Sequence, residues 1–125
     1  MSILLDSHAL LWALHAPNRL DRAAAAAIED SRNAVYFSAA SVWELEIKAA
    51  KGKLTLPDGW ADVAEQTGFL SLPITATEAR ASAQLPWHHS DPFDRMLVAQ
   101  ARERGLRIAT RDAWIIAYDV GVLAC

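Results

Sequence analysis

The run ILLDSHALLWALH, residues 3–15, decides the fold, because a short apolar segment stops at Asp6 and a helical pattern follows at once. Residues 3–6 are typical of a buried strand, and the apolar spacing of residues 8–15 is typical of a helix. A strand joined to a helix in this way is the beginning of an α/β unit. In open sheets of this class, functional sites form at the carboxyl ends of the strands, so Asp6 is the first candidate site residue.

The same alternation of strand and helix continues to the end of the chain. β-branched and aromatic runs predict further strands, and capping residues before apolar periodic segments predict the helices between them. The predicted strands cover residues 3–6, 34–37, 69–74, 107–110 and 120–124; the predicted helices cover 8–15, 21–30, 39–50, 57–66, 76–84 and 92–104, with a short helix beginning at Asp112. This order predicts an α/β fold in a single domain, residues 1–125, whose central, mostly parallel sheet of about four to five strands has helices on both faces.

The amino-acid composition limits the classes of protein to which this chain can belong. The chain has 125 residues, of which 53% are hydrophobic and 22% are charged, so it can bury a core and differs from a disordered segment. Its formal net charge of −3 excludes a strongly basic coat for nucleic acid, and its single cysteine excludes a disulfide within the chain. The sequence has no apolar run of the ~20 residues that span a bilayer and no basic segment before Asp6. We therefore expect a cytoplasmic protein without a membrane segment.

Four acidic residues lie at or near the predicted carboxyl ends of strands: Asp6, Glu44, Asp94 and Asp112. These ends meet at one edge of a parallel sheet, so the four side chains can converge although they are far apart in the sequence. Carboxylates packed together repel one another unless a cation is bound or their pKa values rise. Carboxylate oxygens are ligands that Mg²⁺ prefers, and Mg²⁺ can activate water and neutralise charge on a phosphoryl oxygen. The pattern is therefore compatible with a metal site for phosphodiester hydrolysis.

Each of these acids also has a purely structural interpretation. The three aspartates stand where helix caps are common, and Glu44 can pair with Lys48 one helical turn away. A helical wheel puts Glu46 inside the apolar arc of its helix and Glu44 opposite it. The adjacent His88 and His89 point opposite ways on an extended segment and have no zinc-type ligands nearby, so we expect a structural role in a loop for them. The residues alone decide neither between cap and ligand nor between the two glutamates.

Four segments of the chain together resemble the PIN-domain family, in particular its VapC-type ribonuclease toxins of toxin–antitoxin pairs. The segments are LLDSHALLW (residues 4–12), SAASVWEL (38–45) with GKL (52–54), HSDPFDRMLVAQA (89–101) and TRD (110–112). None is decisive singly, but all four in this order make a specific match that covers nearly the whole chain. The resemblance implies a PIN-like domain and a ribonuclease activity that depends on Mg²⁺, with Mn²⁺ as an alternative ion.

The resemblance also assigns roles to the acidic residues. The four acids correspond to the family's metal-site residues, which selects Glu44 over Glu46. Asp6 and Asp94 are expected as the first metal ligands, while Glu44 and Asp112 would bind directly or through water. Asp91 belongs to the same pattern and is expected to remain a helix cap.

Further residues are candidates for contact with the substrate: Ser7, Thr110, Arg95, Lys48 and Trp87. Ser7 and Thr110 lie beside the acids and would act through their hydroxyl groups. Arg95 and Lys48 would meet the substrate phosphate or, alternatively, serve as structural partners. Trp87 lies in a loop and offers a ring that can stack on a base of RNA. The implied partners are an RNA substrate, a second copy of the chain in a homodimer and a small VapB-like antitoxin.

Two other functions remain open. A PIN-like fold with an inactive site would serve as an RNA- or protein-binding module, and nothing in the sequence excludes it. An aspartyl-phosphate phosphotransfer domain is disfavoured, because the residue two positions after Asp6 is His8 rather than a second aspartate and no paired acids precede Asp6. A dinucleotide-binding domain is also disfavoured, since the turn after the first strand has no glycine.

Overall fold

Strands and helices alternate along the chain in the computed structural model, which describes residues 1–125. The strands are β1 (Ser2–Leu5), β2 (Ala34–Ser38), β3 (Leu70–Leu72), β4 (Arg107–Thr110) and β5 (Val122–Ala124). The helices are α1 (Ser7–His15), α2 (Arg22–Glu29), α3 (Ala39–Ala50), α4 (Trp60–Gln66), α5 (Ala76–Gln84), α6 (Pro92–Arg104) and α7 (Ala113–Ile116). This confirms the predicted order of elements.

The five strands form one sheet in the order β3-β2-β1-β4-β5, and every neighbouring pair is parallel. β1 is central: Leu4 is paired with Tyr36 of β2 on one side and with Ile108 of β4 on the other. The predicted α/β class is confirmed, with a sheet that is wholly rather than mostly parallel. The carboxyl ends of β1, β2 and β4 therefore lie side by side at one edge.

Alternate side chains of β1 enter two separate core layers, as the period of a strand requires. Ile3 and Leu5 pack with helices α1 to α4 on one face, and Leu4 packs with α6 and α7 on the other. The side chains of Ile3, Leu4 and Leu5 are fully buried. Burial of each one contributes about 1.5–3 kcal/mol to the free energy of folding. The sheet is thus covered by helices on both faces, as the sequence predicts.

Several helices begin at capping residues that the sequence identifies. Ser38 accepts a hydrogen bond from the backbone of Ala40 at the start of α3, and Asp91 caps α6 with Pro92 in the first helical position. Gly105 ends α6 with φ of 67°, a left-handed conformation that favours glycine. Because these caps fix where α3 and α6 begin, they also fix the positions of Glu44 in the second turn of α3 and of Asp94 in the first turn of α6.

The elements differ locally from the predicted bounds: α4 begins at Trp60 rather than at residue 57, and β5 begins at Val122 rather than at residue 120. β3 covers three residues rather than the six of segment 69–74, because Pro73 has no backbone N–H to continue the ladder. A short 3₁₀ turn at Pro17–Arg19, absent from the predicted elements, links α1 to α2. None of the helices has the length and apolar character needed to cross a membrane.

Candidate metal centre

A polar pocket of about 210 Å³ lies at the carboxyl edge of the sheet, and none of its lining residues is hydrophobic. It is lined by Asp6, Ser7, His8, Glu44, Lys48, His89, Asp91, Asp94 and Asp112. All four acids that the sequence predicts for the site are among them. The pocket therefore brings together residues from four widely separated segments.

The sheet order explains this convergence. Asp6 follows the end of β1 directly, and Asp112 stands two residues after the end of β4, the strand paired with β1. Glu44 reaches the same place from α3, the helix that follows β2 on the other side of β1. Asp94 comes from the first turn of α6. Parallel neighbours thus deliver the acids to one edge, as open α/β sheets generally do.

Helix capping and site formation turn out to be compatible uses of the same carboxylate. Asp6 Oδ1 accepts a hydrogen bond of 2.7 Å from the Ala9 amide, and Asp112 Oδ1 accepts one of 2.9 Å from the Trp114 amide. The second oxygen of each side chain takes no part in the helix cap, and both residues line the pocket. The structural interpretation of these aspartates is therefore correct but does not exclude a role in the site.

The structure places Glu44, and not Glu46, in the pocket. Glu44 is 7% exposed and accepts hydrogen bonds from Ser7 Oγ at 2.5 Å and from Lys48 Nζ at 3.1 Å. Glu46 is exposed and accepts a bond from the indole of Trp60. The helical wheel was wrong to place Glu46 in the buried arc, because that arc counted Trp43 as core and Trp43 is 61% exposed.

Burial and the charges of neighbouring acids raise the pKa values of two acids in the pocket, Asp6 and Asp94. Burial is the main cause that raises the pKa of Asp94 to about 6, and the charges of Asp91, Glu44 and Asp112 raise it further, against the hydrogen bond from His89. Burial likewise raises the pKa of Asp6, although the hydroxyl of Thr110 and the Ala9 amide partly offset it. A bound cation would relieve this repulsion, so the charge distribution fits a metal centre.

His89 belongs to the pocket, which corrects the structural loop role expected for it. Its Nε2 lies 2.8 Å from Asp94 Oδ2, and His89, Asp94 and Asp112 each offer a ligand atom within 4.8 Å of the others. The loop turns back to this position because the His89 amide donates to the hydroxyl of Tyr118. In the sequence, the only indication of this contact is that His89 and Asp94 are five residues apart.

Arg95 does not reach the pocket, so the structure supports its structural interpretation rather than contact with a substrate phosphate. Its side chain is buried, at 3% exposure, and donates to the hydroxyl of Tyr118. It also donates to the backbone carbonyls of Ser82, Ala83, Leu85, Pro86 and His89. A guanidinium with this many acceptors ties the loop before α6 to the end of α5.

Of the other residues predicted to contact the substrate, some line the pocket and some do not. Ser7 and Lys48 line the pocket beside Glu44, and the buried Thr110 accepts a bond of 3.0 Å from the amide of Asp112. Trp87 is 72% exposed, but it does not line the pocket, and the guanidinium carbon of Arg95 lies 3.6 Å from the centre of its ring. The structure thus separates Trp87 from the acids with which the sequence grouped it.

A parallel α/β domain with an acidic pocket at its carboxyl edge defines the class of protein, and comparison with known families identifies it. Residues 3–120 match the family model of the PIN domain. The chain therefore belongs to the PIN-domain family.

Particular relatives agree with this assignment. Ribonuclease VapC22 of Mycobacterium tuberculosis is 32% identical over 114 residues, which cover 89% of this chain and 87% of that protein. The crystal structure of FitAcB from Neisseria gonorrhoeae is similar with a TM-score of 0.63 and 28% identity, over 98% of this chain and 96% of that one. The structure of FitAB bound to an IR36 DNA fragment, at 23% identity and a TM-score of 0.65 over 97% and 93% of the two chains, shares the fold.

Proposed function

We propose that this chain is a metal-dependent endoribonuclease that acts as the toxin of a toxin–antitoxin pair. The observation that carries the proposal is the meeting of Asp6, Glu44, Asp94 and Asp112 in one polar pocket of a PIN-domain chain. The relationship to a protein named as a ribonuclease, VapC22, supports RNA as the substrate.

The ion would be Mg²⁺, with Mn²⁺ as a substitute, and the donor set supports this choice. Asp6 and Asp112 each keep one carboxylate oxygen outside their helix caps, and Asp94 keeps Oδ1 outside its contact with His89. Such hard oxygen donors suit Mg²⁺ and Mn²⁺. When bound, the ion would supply a nucleophilic water and neutralise charge on the phosphoryl group.

The chain's own residues orient the acids before any substrate arrives. Ser7 and Lys48 occupy both oxygens of Glu44, so Glu44 would act with a fixed orientation and through a water molecule. Thr110 lies between Asp6 and Asp112 and contacts both. Because groups held in advance need no reorganisation, these contacts lower the cost of reaching the transition state. Lys48, whose side chain is 41% exposed, can also meet a substrate phosphate.

The first prediction concerns cleavage of RNA. The purified protein should cleave single-stranded RNA with Mg²⁺ and lose this activity in EDTA. Asp6→Asn and Glu44→Gln should each lower the rate by about 10- to 100-fold, because loss of a residue that binds or orients a metal typically costs this much. Cleavage is measured on a labelled oligoribonucleotide under single-turnover conditions.

Glu46→Gln is the matched control for Glu44→Gln. It makes the same chemical change on the same helix, at an exposed residue whose partner is Trp60. Its rate should stay within a factor of two of the unmodified protein. Full activity in Asp6→Asn, or cleavage that persists in EDTA, would contradict the proposal. Metal binding without any cleavage would favour the alternative of an inactive RNA- or protein-binding module.

The proposed partners are a small VapB-like antitoxin and a second copy of the chain. The resemblance to VapC-type toxins and the relationship to VapC22 support an antitoxin as the partner. The cleavage assay tests this directly, since a small protein encoded next to this chain in its genome should suppress cleavage when it is added. The molar mass of the purified protein in solution tests the homodimer.

A further inference from the structure

Trp114 presents an exposed aromatic ring beside His89, a residue that lines the metal pocket. It lies in α7, two residues after Asp112, and is 59% exposed. Its ring is stacked on that of His89, with centroids 5.7 Å apart and planes 10° from parallel. The other face has no aromatic or cationic partner in the structure. One face of the indole is therefore covered by a pocket residue, and the other is available to a ligand.

Both stacked residues are fixed to acids of the pocket. The imidazole of His89 contacts Asp94, and the backbone amide of Trp114 donates to Asp112. The loop that carries His89 is held in turn by the hydroxyl of Tyr118 and by Arg95, which donates to the His89 carbonyl. A ring that is already ordered loses little conformational entropy when it binds, so this platform is suited to recognition.

A second tryptophan, Trp12, lies in a cavity next to the metal pocket. This cavity of about 380 Å³ is lined by Asp6, His8, Trp12, Arg111 and Asp112, three of which also line the metal pocket. There the ring of Trp12 is already used, because Arg111 lies 4.2 Å from its centre and His8 is stacked on it. Of these two tryptophans beside the site, Trp114 is the one that keeps a free face.

We propose that the free face of Trp114 is a nucleobase subsite, on which the base of a nucleotide next to the scissile phosphate stacks. The inference rests on the proposed function. A base stacked there would continue the parallel arrangement of His89 and Trp114. The other exposed apolar residue of α7, Ile116, is two positions away and on a different side of the helix, so the two side chains do not form one apolar face of α7.

Stacking on a tryptophan tolerates every base, because each base has a π-face. Trp114 would therefore add affinity and set the position of the RNA chain rather than select a sequence. This differs from the sequence-based expectation for Trp87, which lies away from the acids. A stacking role therefore predicts that removal of the Trp114 ring weakens RNA binding whatever the base.

The test measures binding of a single-stranded oligoribonucleotide in Ca²⁺, with Mg²⁺ omitted and the absence of cleavage verified. Trp114→Ala should weaken binding about 5- to 100-fold, the range expected for loss of one stacked base. Trp114→Phe should retain most of the affinity. Trp43→Ala is the matched control: Trp43 is 61% exposed, and its ring packs edge-on against Phe93, which does not line the pocket. The RNA affinity of Trp43→Ala should differ from that of the unmodified protein by less than about twofold, as expected for a surface substitution.

Two further measurements make the result specific. Abasic substitution near the cleavage position should weaken binding to the unmodified protein and abolish the difference between it and Trp114→Ala. Calorimetric titration with Mn²⁺ should give the same Mn²⁺ affinity for the unmodified protein and for Trp114→Ala. If Trp114→Ala binds intact RNA normally, or if it loses Mn²⁺ affinity together with RNA affinity, the subsite is overturned. A change in oligomeric state with normal RNA binding would assign the ring to a protein contact and would also overturn it.

These outcomes are distinct from failure of the proposed function. If the unmodified protein neither binds nor cleaves RNA, the ribonuclease proposal fails and the subsite fails with it. If the unmodified protein binds and cleaves RNA but Trp114→Ala does so equally well, only the subsite fails.

Discussion

The carboxylate of Asp94 lies between His89 on one side and a group of acids, Asp91, Glu44 and Asp112, on the other. Its pKa of about 6 means that in the absence of a metal it holds a proton at mildly acidic pH, where an ordinary aspartate is ionised. Above that pH the charge is buried among other negative charges. A residue that we propose as a metal ligand therefore also costs stability when no cation is bound.

The second prediction follows from the sign of this shift. The folded protein binds the Asp94 proton more tightly than the unfolded chain, whose pKa is near 3.8, so the contribution of this group to stability falls as pH rises from about 4 to about 6. In EDTA at pH 7, Asp94→Asn should be more stable than the unmodified protein by about 1–3 kcal/mol, a difference that should shrink towards pH 4. Urea unfolding across this range measures it. An asparagine variant that is less stable at pH 7 would contradict the assignment.

Helix α6 carries Asp94 and is fixed at two places along its length. Near its start, Arg95 donates to backbone carbonyls at the end of α5 and in the following loop. Two turns later, the buried Gln100 accepts a bond from Ser38, the residue that caps α3, and donates to Glu78. Because Ser38 also sets where α3 begins, this contact links the helix of Asp94 to the helix of Glu44.

The third prediction tests the anchor at Arg95. Arg95→Lys should destabilise the fold by about 2–4 kcal/mol, because a lysine ammonium cannot reach the many carbonyls that the planar guanidinium serves and leaves buried acceptors without donors. Arg102→Lys, at an exposed position of the same helix, should change stability by less than about 0.5 kcal/mol. Thermal and urea unfolding provide the measurement. Equal stability of the two variants would show that Arg95 is not an anchor.

The elements of this fold could be predicted from the sequence because most of their signals are local. The cap at Asp91 with Pro92, the stop at Gly105 and the apolar run before Asp6 each act within a few residues. The positions of Arg95 and His89 could not be predicted in the same way. Both depend on the hydroxyl of Tyr118, which is 23 residues from Arg95 and 29 from His89, and periodicity contains no information about such a contact.

At the scale of the whole molecule, the order β3-β2-β1-β4-β5 turns four separate segments into one site. The central position of β1 places Asp6 between the strand before Glu44 and the strand before Asp112. The alternation of strands and helices predicts parallel pairing, and so the convergence of these ends, but many α/β proteins share it. Only the ordered motifs of the PIN family separate the acids from helix caps in the sequence, and the orientation of Glu44 towards Ser7 required the folded helix.

The central claim is that Asp6, Glu44, Asp94 and Asp112 form a divalent metal centre. The most direct measurement is anomalous diffraction at the manganese edge from crystals of this protein grown with Mn²⁺. We predict an anomalous peak in the pocket, within about 2–3 Å of carboxylate oxygens of Asp6 and Asp94, that is absent in Asp94→Asn crystals. A protein that cleaves RNA but shows no peak there, or shows a peak bound by other residues, would contradict the claim.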